Sequence, residues 1–467
     1  MLLMVANSDL HVSDHGYEWD WKAPKTPSSM TLDEIMVGTH TFGYSLRNRT
    51  RHLDREEVEA QVKFPPLLTR EVVQSPPDKK IVTLCVINGV GSGVGDCIGG
   101  LCAMKKLYDE FWRRGRRLVI DLIVQDGKWI WANELYYYVP YINLVQPHAM
   151  PLSRFTRYDL YADTENYVVE MDASGLHMYD FMCRKFCVDE AGPHLPELWV
   201  ETNAYDQVSE ALECVPKPRA VLNLFASCIR RIPKFYAKKL ARLLAEQYNV
   251  ILVSRFGDAE ETEWLEHAVG HECRDRIVNL TPIVSRSLHH LIALADQVDY
   301  VVTPDTGLLH ICGVTGVPTT AVFYSIEPNL RCRDFPNVAP FCPEVFRKGP
   351  HWGQHKPLML EAANMDPKEY ERLMALYADP EQYPGWKQTW QKVTPEEILA
   401  TTPGPRQPSR VIRCPTREDR LCFTSSSRER STEKPDPSGS SAPTDECTPR
   451  STLKTTPDTA SPTPSGS

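Results

Sequence analysis

No stretch of this 467-residue sequence holds the roughly 18 uncharged apolar residues that a membrane-spanning helix needs, so such a helix is excluded. Excess positive charge is also missing. The net charge is −9 and the pI near 5.9, which argues against a partner such as nucleic acid held by bulk cationic charge. The fourteen cysteines include no Cys-x-x-Cys pair. Met1–Ala6 has no basic lead, is too short for a signal-peptide core and runs into Asn7-Ser8-Asp9. The expectation is a cytoplasmic protein with reduced, mostly buried thiols, in which the sequons at Asn48 and Asn279 carry no meaning. Cys183 and Cys187, four apart, come nearest to a metal motif, but zinc takes four ligands in tight spacing. No metal and no cofactor are expected. The two common nucleotide fingerprints are absent as well: no frame fits Gly-x-Gly-x-x-Gly, and no Lys-Ser/Thr follows a glycine-rich turn. A nicotinamide-dependent oxidoreductase is therefore disfavoured.

What is present is an ordinary globular composition, 42% apolar and 24% charged, long enough for several domains. From Thr401 to Ser467, 35 of 67 residues are Ser, Thr or Pro, too little apolar surface to offset the entropy of ordering. Residues 401–467 are expected to be a disordered tail, with Arg406 to Arg420 simply solvated. Residues 1–78 carry proline and charge clusters and one plausible helix near Asp54 to Val62, and form an N-terminal extension of unassigned role.

Between these ends strand and helix alternate. Ile81–Ile87 is an uncharged β-rich run of the kind buried on both faces of a parallel sheet. A helix from about Cys97 to Arg114 and a strand at Leu118–Val124 follow. Weaker strands are predicted near 141–145 and 158–162, a helix at 177–188 and a strand at 197–200. In the second half, strands are predicted at 220–225, 249–254, 277–280, 300–303 and, last, 319–323. Pro233 opens one helix and Ser287 caps another through Ala295. Two successive β/α halves point to an α/β protein with two doubly wound domains facing a cleft.

Four turns stand where open α/β sheets bind ligands, at the carboxyl ends of strands. Gly89-Val-Gly-Ser-Gly-Val-Gly95-Asp96 joins a strand to a helix. Asp96 is either a helix-terminal cap or a carboxylate base facing a substrate hydroxyl. Thr303-Pro-Asp305-Thr306-Gly307-Leu-Leu-His310 offers helix-start N–H groups suited to a diphosphate, with His310 one turn inside. Arg230-Arg231-Ile-Pro233-Lys234 puts basic residues against a helix dipole, a mild cost that an anionic ligand would relieve. Gly257-Asp-Ala-Glu260-Glu261 places carboxylates where they reach ribose hydroxyls or serve the helix dipole.

The order of these motifs resembles glycosyltransferase family 9, the ADP-heptose lipopolysaccharide heptosyltransferases, over roughly residues 80–345. Asp305-Thr306-Gly307-Leu308-Leu309-His310 with Gly316-Val-Pro318 is the strongest part, and Ser92-Gly-Val-Gly95-Asp96 comes next. The resemblance implies a GT-B fold of two Rossmann-like domains. It also implies inverting, metal-independent transfer of a sugar from a nucleoside diphosphate sugar, an ADP-sugar by preference, to a glycan, lipid-linked or protein acceptor. Carried onto this sequence, Asp96 is the general base, and Arg230 stands where the family has a lysine that neutralises the leaving diphosphate. Thr306 and Gly307 bind that diphosphate and Asp305 shapes the turn. His310 touches phosphate or donor sugar, and Glu261, or in second place Glu260, holds the ribose. Arg230 in place of lysine departs from the family pattern and keeps a second reading in view, a non-catalytic nucleotide-sugar or glycan-binding relative.

The expected division is an extension at 1–78, an acceptor domain at 79–212, a nucleotide-sugar domain at 213–345, a helical segment at 346–400 and the tail at 401–467. The helix at Thr394–Ala400 is expected to return to the first domain.

Overall fold

The computed structural model describes residues 2–6, 9–13, 16–20, 31–39, 50–53, 55–60, 62–90, 93–124, 129–164, 171, 174–190, 192, 195–226, 230–254, 259–273, 275–350, 352–353 and 385–414. Two parallel sheets organise them. The second is the more regular. Its strands, in spatial order, are Ile277–Asn279, Asn249–Val253, Arg219–Asn223, Tyr300–Pro304, Thr319–Val322 and Val338–Phe341. In chain order within this half that is 3-2-1-4-5-6, the doubly wound order whose direction reverses between the first and fourth strands. The apolar runs explain the centre: Arg219–Asn223, Asn249–Val253 and Tyr300–Pro304 are buried almost throughout, as strands covered on both faces must be.

The first sheet runs Leu160–Asp163, Ile81–Ile87, Arg117–Val124, Ile142–Pro147, again all parallel. Its order reverses between Ile81–Ile87 and Leu160–Asp163, and Asn88 Nδ2 donates to Asp163 Oδ1 (2.8 Å) across that point. The helix Val94–Arg113 leaves from there. The two-domain α/β architecture expected from the sequence is present.

Three expectations need correction. The last strand of the second sheet is Val338–Phe341, not 319–323. The helix Pro395–Leu399 does not return to the first domain. Ile398 packs into the core of the second with Tyr236, Leu240 and the fully buried Trp386 and Trp390. The tail is not disordered from Thr401. The Gln407 N–H donates to Gly316 O (2.9 Å), Arg406 donates to the carbonyls of Asp296 and Val298 at a helix C-terminus, and Val411–Cys414 pairs in parallel with Leu198–Glu201. Arg406 is thus a helix-end ligand rather than a solvated charge. Residues 415–467 lie outside the described residues.

The extension contributes structure too. Leu2–Ala6, Ile35–Gly38 and Thr50–His52 form an antiparallel sheet that continues onto Ala149–Pro151. Its Leu3, Ile35 and Val37 are buried with Cys85, Ile87 and Ile123 of the first parallel sheet. The expected helix near 54–62 is Arg55–Glu59.

Candidate functional site

The reversal point of the second sheet builds one end of the site. Asn223 ends the first strand there, and its Nδ2 donates to Thr303 Oγ1 (2.9 Å) on the fourth. Thr306 follows as the N-cap of the helix Gly307–Thr315, with extended backbone (φ −145°, ψ 178°). Its hydroxyl does not cap that helix. It turns back to Thr303 Oγ1 (3.3 Å) and Asn223 Nδ2 (3.5 Å). A helix start has N–H groups with no intrahelical acceptor and the positive end of the dipole, so it favours an anion.

A cavity of about 540 Å³ opens at this point. From the second half it is lined by Asn223, Val253, Ser254, the stretch Val284 to Leu288, and Thr306 to Leu308. From the first half come Val94, Ile130, Trp131 and Glu134. The cavity therefore lies between the two sheets, with a mostly apolar wall and polar groups at its ends.

Asp305 lies beneath the turn, buried, with its carboxylate bound by Arg230 Nη1 (2.9 Å). Burial works to raise its carboxyl, but the guanidinium of Arg230, then that of Arg331, outweigh it and hold Asp305 below the usual range. Asp305 is thus an ionised post under the helix start. Arg230 has a protein partner already, at the edge of the site.

The two glycine-rich turns meet. A Cβ at Gly95 would stand 2.7 Å from His310 Nε2 and nearer still to Cδ2, and one at Gly307 would stand 2.7 Å from Val94 Cβ. Glycine at both positions lets the helix starts of the two halves touch. Asp96 sits at this junction. Its Oδ2 accepts the Gly93 N–H (2.9 Å), the one half of a capping box that a glycine N-cap allows, so the carboxylate is engaged at the helix start. His310 does not line the cavity. Its ring is buried against Gly95, Tyr179 and Phe335, with Nδ1 3.1 Å from the Tyr179 hydroxyl. Burial, opposed by Asp305, drives its imidazole down to about 3, so it is neutral at physiological pH. Its observed work is packing the two turns together rather than meeting a ligand in the cavity.

The remaining expected residues are less central. Glu261 is in the first turn of the helix Ala259–Cys273, but its side chain lies outside the described residues, as do Ser92, Ser227, Gly257 and Asp258. Glu260 is exposed. Arg231 donates to Ala226 O (2.9 Å) and covers the Phe225 ring.

Sequence reasoning missed Asn223, Trp131 and Glu134. Glu134 Oε2 accepts the Leu288 N–H (2.6 Å) at the start of the helix Leu288–Gln297, joining the two halves across the cavity. Burial raises its carboxyl, the Leu288 N–H lowers it and nearby Glu201 raises it, for a net upward shift. Among the described residues no three His, Cys, Asp or Glu side chains gather as metal ligands, and no helix is long and apolar enough to cross a membrane.

Residues 156–331 match the family model described as glycosyltransferase family 9 (heptosyltransferase). That segment holds Arg230, Asp305, Thr306, Gly307 and His310; Asp96 lies before it. A search of curated proteins gives no match. Similar solved structures include the E. coli ADP-heptose LPS heptosyltransferase II, at 18% identity over 64% of this chain and 99% of that one, with a TM-score of 0.45. A glycosyltransferase family 9 protein from Veillonella parvula matches at 12% identity over 69% and 96%, with a TM-score of 0.47. The E. coli heptosyltransferase WaaC with ADP matches at 14% identity over 56% and 92%, with a TM-score of 0.40.

Proposed function

From the glycosyltransferase family 9 segment at residues 156–331, we propose that this chain transfers a heptose-like sugar from a nucleoside diphosphate sugar, an ADP-sugar by preference, to a hydroxyl acceptor. The reaction inverts the anomeric centre and uses no metal. The observation that carries this reading is the cavity between the two sheets, which has the Thr306–Gly307 helix start at one wall and the first half's residues at the other.

The chemistry follows from those parts. The leaving diphosphate gathers charge, and the helix-start N–H groups of Gly307 and Leu308 are fixed donors for it. Arg230 and Arg331 both act on the single carboxylate of Asp305, so this trio carries a net positive charge behind the turn. The acceptor hydroxyl must lose its proton as it attacks, and Asp96, at the carboxyl end of the first sheet, is the base. To act, its carboxylate needs an oxygen free of the Gly93 N–H. A carboxylate has lone pairs for both. Glu261 holds the ribose. His310 acts by seating Gly95, and hence the Asp96 turn, against the donor turn. The glycan, lipid-linked or protein acceptor, the cytoplasmic setting and a place in lipopolysaccharide assembly rest on the family resemblance alone.

The capping bond of Asp96 favours the second reading, a binder that keeps the diphosphate seat and performs no transfer. A thermal-shift panel of ADP, UDP, GDP, dTDP and CMP, on wild type and on Asp305→Ala, tests the seat. A ligand that binds the native state raises its melting temperature. One nucleotide should stabilise wild type and not the variant. If none does, the donor site is refuted. Transfer by wild type that is lost in Asp96→Asn, with nucleotide binding kept, identifies the enzyme. Nucleotide binding without transfer by either identifies the binder, and equal transfer by both refutes Asp96 as the base.

A further inference from the structure

Ser287 is the N-cap of the helix Leu288–Gln297, yet its hydroxyl makes no capping bond. A serine at this place ordinarily accepts a hydrogen bond from the second or third helical N–H. Here Glu134, from the other half, takes the Leu288 N–H (2.6 Å), and the serine hydroxyl lies 2.7 Å from His290 Nδ1. His290 Nε2 lies 3.1 Å from Gln207 Oε1, and the same oxygen accepts from Arg286 Nη1 (3.1 Å).

These contacts fix the protons. An amide oxygen that accepts from arginine has no hydrogen to give, so His290 Nε2 carries the proton of that bond. His290 is buried, and burial, with Arg286 nearby, lowers its pKa, so the ring is neutral and Nδ1 is bare. Nδ1 therefore accepts, and the Ser287 hydroxyl must donate to it. The serine oxygen keeps only lone pairs to offer, and Ser287 lines the cavity.

The cavity runs from the diphosphate seat at Thr306 past the strand ends at Asn223 and Val253 to the stretch Val284 to Leu288. The transferred sugar has to face Asp96, so the nucleoside lies toward Ser287. We propose that Ser287, oriented by His290 and Gln207, is a specificity residue that accepts a hydrogen bond from an amine or hydroxyl of the donor's nucleoside. This rests on the nucleoside diphosphate sugar reading above. Ser287 touches the ligand; His290 and Gln207 are positioning residues. A simple capping serine differs: it spends a lone pair on its own helix and keeps its O–H to donate to a ligand.

The test measures dissociation constants by calorimetry on the full chain. The probes are ADP against inosine 5′-diphosphate and CDP against UDP, pairs in which only the first member carries an exocyclic amine. Each is also compared with its 2′-deoxy and 3′-deoxy forms, which report on the hydroxyl source. Ser287→Ala should weaken the best-binding nucleotide about fivefold, the worth of one hydrogen bond. The penalty should vanish for the analogue lacking the donor. His290→Phe should give the same analogue-dependent loss, and adding Ser287→Ala to it should cost little more. A His290 that served packing alone would weaken every analogue equally. Equal penalties across all analogues overturn this inference and leave the functional reading standing. A wild-type chain that binds none of the nucleotides overturns both.

Discussion

Gly95 and His310 give a prediction whose sign, as well as its size, is set by the structure. Gly95 is the second residue of the helix Val94–Arg113, where alanine is ordinarily preferred over glycine by up to about 1 kcal/mol. A replacement judged on propensity alone would therefore stabilise. The geometry says otherwise, because a Cβ there stands 2.7 Å from His310 Nε2, about 1 Å inside ordinary contact. The imidazole has nowhere to retreat, with Tyr179 and Phe335 packed against it. Overpacking of this kind costs about 1–3 kcal/mol. After the propensity gain the net loss should be about 1–2 kcal/mol, read as a lower urea midpoint. Because the Asp96 turn moves with Gly95, transfer should fall by up to about a hundredfold. The decisive comparison is Gly95→Ala in a His310→Ala background. There the obstacle is gone, and the same substitution should stabilise by about 0.5–1 kcal/mol. If Gly95→Ala costs the same in both backgrounds, the contact between the two turns is not what the glycine serves.

Arg230→Met should uncover Asp305. In the wild type the folded carboxyl lies below its unfolded value, so this group's stabilisation is present above about pH 4 and fades as pH falls through the folded pKa. Without Arg230, burial pushes the carboxyl upward. The variant should lose about 2–3 kcal/mol near neutrality, the low side for a broken buried pair since Arg331 remains, and recover part of it on acidification. Denaturant midpoints from pH 7 down to 4 check the reversed slope. Arg406→Ala removes the guanidinium from the carbonyls of Asp296 and Val298 and should cost about 1–3 kcal/mol. A chain ended at Ala400 should lose at least as much, since the pairing of Val411–Cys414 with Leu198–Glu201 goes too. Both are read from thermal unfolding.

The parts of the fold legible in the sequence were those whose signal is local. Ile81–Ile87, Asn249–Val253 and Tyr300–Pro304 are β-rich runs because both their faces are covered. Val338–Phe341 escaped notice because it reads Val-Ala-Pro-Phe. It is the outermost strand beside Thr319–Val322, the place where a sheet tolerates proline and needs no apolar run. Residues 401–414 were hidden by averaging, since the 67-residue composition is that of a disordered segment. The anchors are few: one N–H of Gln407, one guanidinium of Arg406, and four strand residues whose partners begin at Leu198. The place of the helix Pro395–Leu399 is not written in its residues; its Ile398 is as apolar as a first-domain contact would need, and only the packing on Tyr236 decides which half it joins.

The candidate site divides along the same line. Asp96, Arg230, Asp305, Thr306 and Gly307 sit on turns that a strand-turn-helix pattern marks by itself. Glu134 has no such mark. It is one acidic residue in the helix Trp129–Tyr136, and its meaning comes from an N–H 154 positions away. Ser287 was recognised as a helix cap, a correct statement about its backbone that misdirects about its side chain. Which bond the hydroxyl makes depends on a histidine one turn into the helix, whose tautomer is set by Gln207, 83 positions earlier. His310 shows the converse. Its motif puts it one turn into the helix Gly307–Thr315, where the structure has it, but its exposure to a ligand depends on Gly95 and Tyr179, which close over it from the first half. A motif therefore fixes where a backbone turn stands. Which way each side chain on it faces is settled by residues from the opposite sheet, and that is why the turn at Asp305–Gly307 is legible in the sequence and the division of labour around it is not.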